Sequence, residues 1–268
     1  MTTLPEDVLA GIPGWERGVC TKLSGGLTNE TWRVDCDGHS GVLKVDESER
    51  ELPFNTRSDE ARIQKTAAEA GLAPGVIAAR DGLYFTEYAE GTVWEPECLA
   101  KEGNLEKLAA ALKHLHSLPL TGRSFDAIRA AKGYAERAGR LDSKVIEICT
   151  TTISSMRLPQ NMCCCHNDLV AENLITTPGL KFLDWEYACD NDPFFDLATI
   201  VEHHELSDSN VEALLNAYFD GDGERWRESL ERQRKLYLSL LCLWLASRSV
   251  CDPAALANVV ERLATSCS

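Results

Sequence analysis

Three polar side chains stand at intervals that suit one kind of chemistry. Asp168 and Asn173 lie five residues apart in His166-Asn167-Asp168-Leu169-Val170-Ala171-Glu172-Asn173, and Asp184 follows eleven residues later in Phe182-Leu183-Asp184-Trp185. Met162 to Cys165 reads as a short buried strand that ends in the His166 loop, and Lys181 to Leu183 as a second strand running into Asp184. Strand ends that carry a carboxylate, an amide and a second carboxylate suit phosphoryl transfer. One carboxylate takes the hydrogen bond and proton of an attacking hydroxyl, while the amide oxygen and the other carboxylate hold Mg²⁺ on nucleotide phosphates. A lone Asp in a loop would be a solvated turn residue. The ordered set is what carries the chemistry.

Such a site needs a cation on the phosphates and a frame to hold it. Lys44 sits inside the strand-like run Gly41-Val42-Leu43-Lys44-Val45, where alternation turns it away from the face of Leu43 and Val45. Taken alone it reads as an edge or solvent lysine. One hairpin earlier, between strand-like runs at Val19 to Leu23 and Thr31 to Cys36, lies the loop Ser24, Gly25, Gly26, Leu27, Thr28, Asn29. Its backbone amides suit phosphates, although it lacks the spacing of either common glycine-rich motif and a plain hairpin turn would explain it as well. Together the loop and the lysine favour nucleotide phosphates as the partner of Lys44. The amphipathic run from Asp59 to Gly71 offers a following helix with Glu60 in its first turn as the acidic partner of Lys44; Glu69 and Glu51 are alternatives. Val76 to Ala79 and Leu83 to Tyr88 read as two more strands. Ala89-Glu90-Gly91 breaks the pattern, which makes Glu87 and Tyr88 candidates for a hinge whose main chain binds a base.

Beyond that point the period changes from two to 3.6. Asn104 to Leu118 is amphipathic and closed by Pro119; Asp126 to Ala138, Ser143 to Met156, a run from Asp196, Val211 to Phe219, Trp226 to Arg248 and Pro253 to Leu263 complete a helical half. His116 is expected to be a packed or capping histidine.

The 268 residues suffice for one large domain or two lobes. A net charge of -15 disfavours nucleic acid as partner and mildly favours a cationic substrate. The longest apolar stretch, Leu240 to Ala246, is too short for membrane insertion, and no signal peptide is visible, so a cytoplasmic protein is expected. Eleven cysteines invite a metal or disulfide reading. Cys163, Cys164 and Cys165 are consecutive, however, so on a strand they alternate faces and cannot all reach one ion, and there is no Cys-x-x-Cys pair. The expectation is buried thiols without structural zinc or disulfides.

Cys165 to Asn173, with Phe182-Leu183-Asp184-Trp185-Glu186-Tyr187-Ala188, resembles the aminoglycoside phosphotransferase / choline kinase superfamily, and the likeness extends from about Leu23 to at least Leu245. The resemblance implies an α+β, protein-kinase-like fold: residues 1–88 a small β-rich nucleotide-binding lobe, residues 89–268 a larger, mainly helical catalytic and substrate-binding lobe. It implies ATP and Mg²⁺ as cofactors, Asp168 as the catalytic aspartate, Asn173 and Asp184 as Mg²⁺ ligands, His166 as a structural residue, Lys44 on the phosphates and Glu60 beside it. Ser24 to Asn29 matches the shortened nucleotide loop of this superfamily. Asp192-Pro193-Phe194-Phe195-Asp196-Leu197 follows without a long activation segment, which favours a small alcohol over a peptide. By resemblance the acceptor is a cationic alcohol, choline or ethanolamine first. Thiamine, an aminoglycoside or an amino sugar are the alternatives, and an inactive nucleotide-binding relative is the non-enzymatic one. A quaternary ammonium wants aromatic faces and ionised carboxylates, for which Glu186, Tyr187, Asp190 and Trp244 are the candidates alongside Asp168. A monomer or homodimer is expected.

Overall fold

The computed structural model describes residues 5–23, 30–46, 56–156 and 161–266. In chain order the elements are α1 (Pro5–Leu9), β1 (Val19–Lys22), β2 (Glu30–Cys36), β3 (His39–Val45), α2 (Arg57–Glu69), β4 (Val76–Arg80), β5 (Leu83–Glu87) and β6 (Thr92–Val93). Then come α3 (Asn104–His116), α4 (Ala127–Ala135), α5 (Ser143–Ser155), β7 (Cys163–Cys165), β8 (Leu174–Thr176), β9 (Leu180–Phe182) and β10 (Cys189–Asn191). Four helices finish the chain: α6 (Pro193–His203), α7 (Asp208–Tyr218), α8 (Arg227–Ser247) and α9 (Pro253–Ser266). The α+β class expected from the change of period is what the chain adopts.

Two compact units result, Met1–Glu95 with Ala171–Ala188, and Pro96–Val170 with Cys189–Ser268. The sequence suggests a single cut between 88 and 89. The first unit is instead discontinuous, because β6 pairs with β8 and β8 with β9 in a small three-stranded sheet.

In the first unit an antiparallel sheet runs in the order β1-β2-β3-β5-β4. The β2–β3 hairpin turns on Asp37 and Gly38, both with positive φ, as the tight turn that matches strand twist requires. Alternation then sorts the residues of β3. Leu43 and Val45 pack with Val34, Phe85 and Leu9 on one face, and Lys44 faces the other way. Gly41 lies under the Phe85 ring, so close that a Cβ there would stand 2.5 Å from Cε2. The opposite face carries Tyr84, whose hydroxyl donates to Gln64 Oε1 at 2.9 Å; Gln64 Nε2 in turn donates to the carbonyl of Pro74. Helix α2 is thereby tied to the sheet that bears Lys44. Its N-terminus is capped by Thr56, which accepts from the Asp59 N–H.

The second unit is helical around one core. Ile153, Phe195, Leu238, Leu243 and Leu263 bring α5, α6, α8 and α9 together. Helix α6 is apolar over most of its surface, with buried residues running without a gap from Phe194 to Glu202, as expected of a helix enclosed on every side. Two of those buried residues are acids. Glu202 accepts from Arg234 of α8 and Arg262 of α9, so its charge is compensated from both neighbouring helices. The cysteines among the described residues stand as thiols, and burial pushes the Cys164 thiol up to about 12.

Gly41→Ala should lower unfolding free energy by about 1–3 kcal/mol, because the added methyl must displace the Phe85 ring from a close-packed core. Gly139→Ala, where a Cβ meets nothing within 4 Å, should stay within about 0.5 kcal/mol of wild type. Urea denaturation midpoints compare the two; equal midpoints would refute the packing account.

Candidate active site

The loop that carries Asp168 is held by its backbone. Asp196, fully buried on α6, accepts the His166 N–H at Oδ2 (2.9 Å) and the Asn167 N–H at Oδ1 (2.6 Å). His116 Nε2 reaches the same Oδ2 at 3.0 Å. A carboxylate only accepts, so in the neutral ring this nitrogen carries the proton and Nδ1 takes the Tyr218 hydroxyl at 2.6 Å. Asn167 adopts a left-handed backbone, φ 65°, a conformation that costs a non-glycine residue energy unless its surroundings enforce it. They do: its side-chain oxygen accepts from Asn191 Nδ2 at 2.8 Å and its amide donates to the Cys189 sulfur. Asp168, the next residue, leaves this anchored segment half-buried, and Leu169 behind it is fully buried. His166 is buried throughout.

In the first unit Lys44 Nζ lies 2.8 Å from Asp184 Oδ1. Burial pulls the Lys44 ammonium down, but the field of Asp184, Glu60 and Glu186 outweighs it and holds the group above its ordinary value. The proton therefore stays on Lys44 at neutral pH. Glu60 is fully buried, in the first turn of α2. Burial raises its carboxyl, against the opposing pull of Lys44 and then Arg57. Arg57 binds Glu60 Oε2 at 2.7 Å and also pairs with Asp46, both of its partners being buried or nearly so. Glu60 and Lys44 thus act on each other electrostatically, while an arginine that sequence reasoning did not weigh shares the acid. Of the alternatives, Glu69 is exposed at the far end of α2, and Glu51 lies outside the described residues.

Asn173 and Asp184 flank the β8–β9 hairpin. Leu174 opposes Phe182, and the Leu183 N–H donates to the Asn173 carbonyl at 2.8 Å. The ladder therefore brings the two ends together. Asn173 is buried, and Asp184 has a left-handed backbone, φ 59° and ψ 74°. Trp185 behind it is fully buried, its indole N–H donating to the Phe182 carbonyl at 3.0 Å. An amide oxygen and a carboxylate, both hard donors, suit a hard divalent cation.

Other expected residues fare differently. Ser24, Gly25, Gly26, Leu27, Thr28 and Asn29 lie outside the described residues. The Glu87 N–H donates to the Gly75 carbonyl and the Tyr88 N–H to Ser40, so neither main-chain donor of this supposed hinge remains for a base. This corrects the hinge expectation for those two N–H groups. Glu186 is buried and Tyr187 half-buried in the helical turn after Asp184. Asp190, a substrate candidate from sequence, accepts from Thr121 N at 2.6 Å, Thr121 Oγ1 at 2.8 Å and Gly122 N at 2.9 Å. Both oxygens are thereby spent on tying a loop to β10, which makes it a clamp. Trp244 is half-buried on α8 with the Arg248 guanidinium 4.8 Å from its ring centre, so that face already holds a cation. Sequence reasoning missed Asp196 as an anchor, although it had named the residue as the start of a helix. It also missed the ladder of Phe194, Phe219 and Trp226, stacked at 5.4 and 5.0 Å. Their only signal was three aromatics near helix ends.

Residues 19–230 match the model of the phosphotransferase enzyme family. The chain belongs to that family. It is 30% identical over 207 residues to Protein LicA of Haemophilus influenzae, a stretch covering 72% of this chain and 61% of that protein. Its fold is shared with a choline/ethanolamine kinase family protein from Mesorhizobium loti, with TM-score 0.76 and 24% identity over 97% of this chain and 92% of that one. It is shared too with choline kinase LicA from Streptococcus pneumoniae, with TM-score 0.77 and 22% identity over 92% of each chain. The protein-kinase-like architecture expected from the motifs is thus the fold that these solved structures share with the chain.

Lys44→Met and Asp184→Asn should each destabilise the chain, and the double variant by less than their sum, with a coupling energy of about 0.5–3 kcal/mol from chemical denaturation. Additivity within about 0.3 kcal/mol would mean that the contact carries no energy.

Proposed function

We propose that this family member is an ATP- and Mg²⁺-dependent O-kinase of a small cationic alcohol, choline or ethanolamine first. The observation that carries the reading is the pair Lys44–Asp184 at 2.8 Å, with Asn173 bonded across the hairpin to the residue before Asp184. A protonated lysine, a carboxylate and an amide oxygen fit nucleotide phosphates and their cation. When bound, Mg²⁺ would be held by Asp184 and Asn173 and would supply charge neutralisation on the transferring phosphoryl group.

Lys44 neutralises phosphate charge, and the acids around it keep it protonated for that task. Glu60, held by Arg57, keeps the lysine oriented. Asp168 accepts the hydrogen bond of the acceptor hydroxyl and takes its proton late in transfer, directly and without a phospho-enzyme. Its loop cannot drift, because Asp196 fixes the two residues before it. For the acceptor, the support is the likeness to LicA proteins, one of them named a choline kinase, and the negative net charge. Of the aromatic candidates Tyr187, three residues after Asp184, is retained.

Asp184→Ala should abolish Mg²⁺-dependent turnover, and Asp168→Asn should lower kcat by about 10²–10⁴-fold with both variants folded by circular dichroism. Undiminished phosphorylation by Asp184→Ala would remove the kinase assignment. Substrate class is read by coupled ADP release with choline, ethanolamine, thiamine, aminoglycosides and amino sugars at fixed ATP and Mg²⁺. Choline or ethanolamine should give the highest kcat/KM. A neutral sugar ahead of every cationic alcohol would overturn the acceptor and leave the kinase reading standing.

A further inference from the structure

We propose that His116, Cys163 and Cys165 form a binding site for one thiophilic cation, Zn²⁺ first, with three protein ligands and an open fourth position beside the Tyr218 hydroxyl. The three consecutive cysteines of β7 do alternate faces, which set zinc aside on sequence grounds. Alternation also puts the first and third on the same face. Their sulfurs stand 3.5 Å apart, and with a ring nitrogen of His116 they form a set of ligand atoms all within 4.8 Å of one another. Two thiolates on a tetrahedral ion with metal–sulfur bonds of about 2.3 Å stand about 3.8 Å apart. The sulfurs are therefore already near coordinating separation. A disulfide would have to bridge residues two apart on an extended strand, at the limit of the Cα separation such a bond tolerates.

The histidine is prepared in a way that metal ligands share. Its Nε2–H is held by the buried Asp196 carboxylate at 3.0 Å, which fixes the ring and makes Nδ1 the nitrogen with a lone pair. That lone pair faces the Tyr218 hydroxyl at 2.6 Å, the group a cation would displace. The thiols are otherwise poorly served. Their polar contacts are with each other and with the Asn191 and Asp192 carbonyls at 3.6 to 3.8 Å. Binding replaces two S–H bonds with two sulfur–metal bonds and releases two protons. Soft thiolates select Zn²⁺ over Mg²⁺, so this site does not compete for the cation of the phosphotransfer chemistry. It would join the end of α3 to β7, the strand that leads into Asp168.

The test uses the full chain, reduced, stripped with chelator and titrated with Co²⁺ in the presence of Mg²⁺. One equivalent should bind with a thiolate-to-cobalt charge-transfer band and tetrahedral d–d absorption, be displaced by Zn²⁺, and protect two thiols from titration. Cys163→Ser, at a half-buried position, should weaken binding at least tenfold and His116→Gln likewise, whereas Cys98→Ser, a buried thiol elsewhere, should leave it unchanged. Circular dichroism of the metal-free variants reports their folding. The wild type alone can refute the site, by showing no stoichiometric thiolate band or by losing two thiols to a disulfide without metal. A band that persists unchanged in Cys163→Ser also refutes it.

Discussion

One buried carboxylate sets the terms for the second unit. Asp196 is shut off from solvent and yet accepts three hydrogen bonds, two from the main chain of the His166 loop and one from the His116 ring. A buried charge is costly unless its lone pairs are met, and charge-assisted donors meet them best. Much nearby follows from that need. Helix α6 must be enclosed to keep water from the carboxylate, so its flanks are apolar. The loop must turn its N–H groups inward, and Asn167 takes a left-handed conformation in doing so. Asp168 follows directly on the two residues that this arrangement anchors.

The first unit solves a related problem with opposite sign. Lys44 is surrounded by Asp184, Glu60 and Glu186, and Glu60 by Lys44 and Arg57, which also serves Asp46. Each of the two cations thus serves more than one acid. Such an array favours fixed geometry over bulk stability, since apolar replacements of buried ion pairs often cost little. A site that handles phosphates has reason to keep it.

Legibility in the sequence followed the range of the interaction. Asp168, Asn173 and Asp184 were visible because their chemistry is encoded within nineteen consecutive residues, 166 to 184. Strands β2, β3 and β5 and most of the helices announced themselves by period. Strands β6, β8 and β10 did not: two or three residues have no period to detect, and the partners of β6 and β8 lie more than eighty positions apart. The Lys44–Asp184 contact spans 140 positions and leaves no local mark. The committed N–H groups of Glu87 and Tyr88 depend on strand pairing and a turn at Gly75, which side-chain identity does not report. Asp190 misled for a related reason, since an acidic residue near a motif looks the same whether it faces ligand or clamps a loop.

The discontinuity of the first unit bears on how the chain comes into being. Residues up to Glu95 leave the ribosome well before Ala171–Ala188, the segment that supplies β8, β9 and Asp184. At translation rates of about 5–20 residues per second, the interval is on the order of 5–20 s. Throughout it β6 has no strand to pair with, the Trp94 indole lacks Thr176, and Lys44 lacks its carboxylate partner. The nascent unit thus holds its five-stranded sheet beside an unpaired β6 that waits for a late insertion, a period in which that strand is available to chaperones or to neighbouring chains.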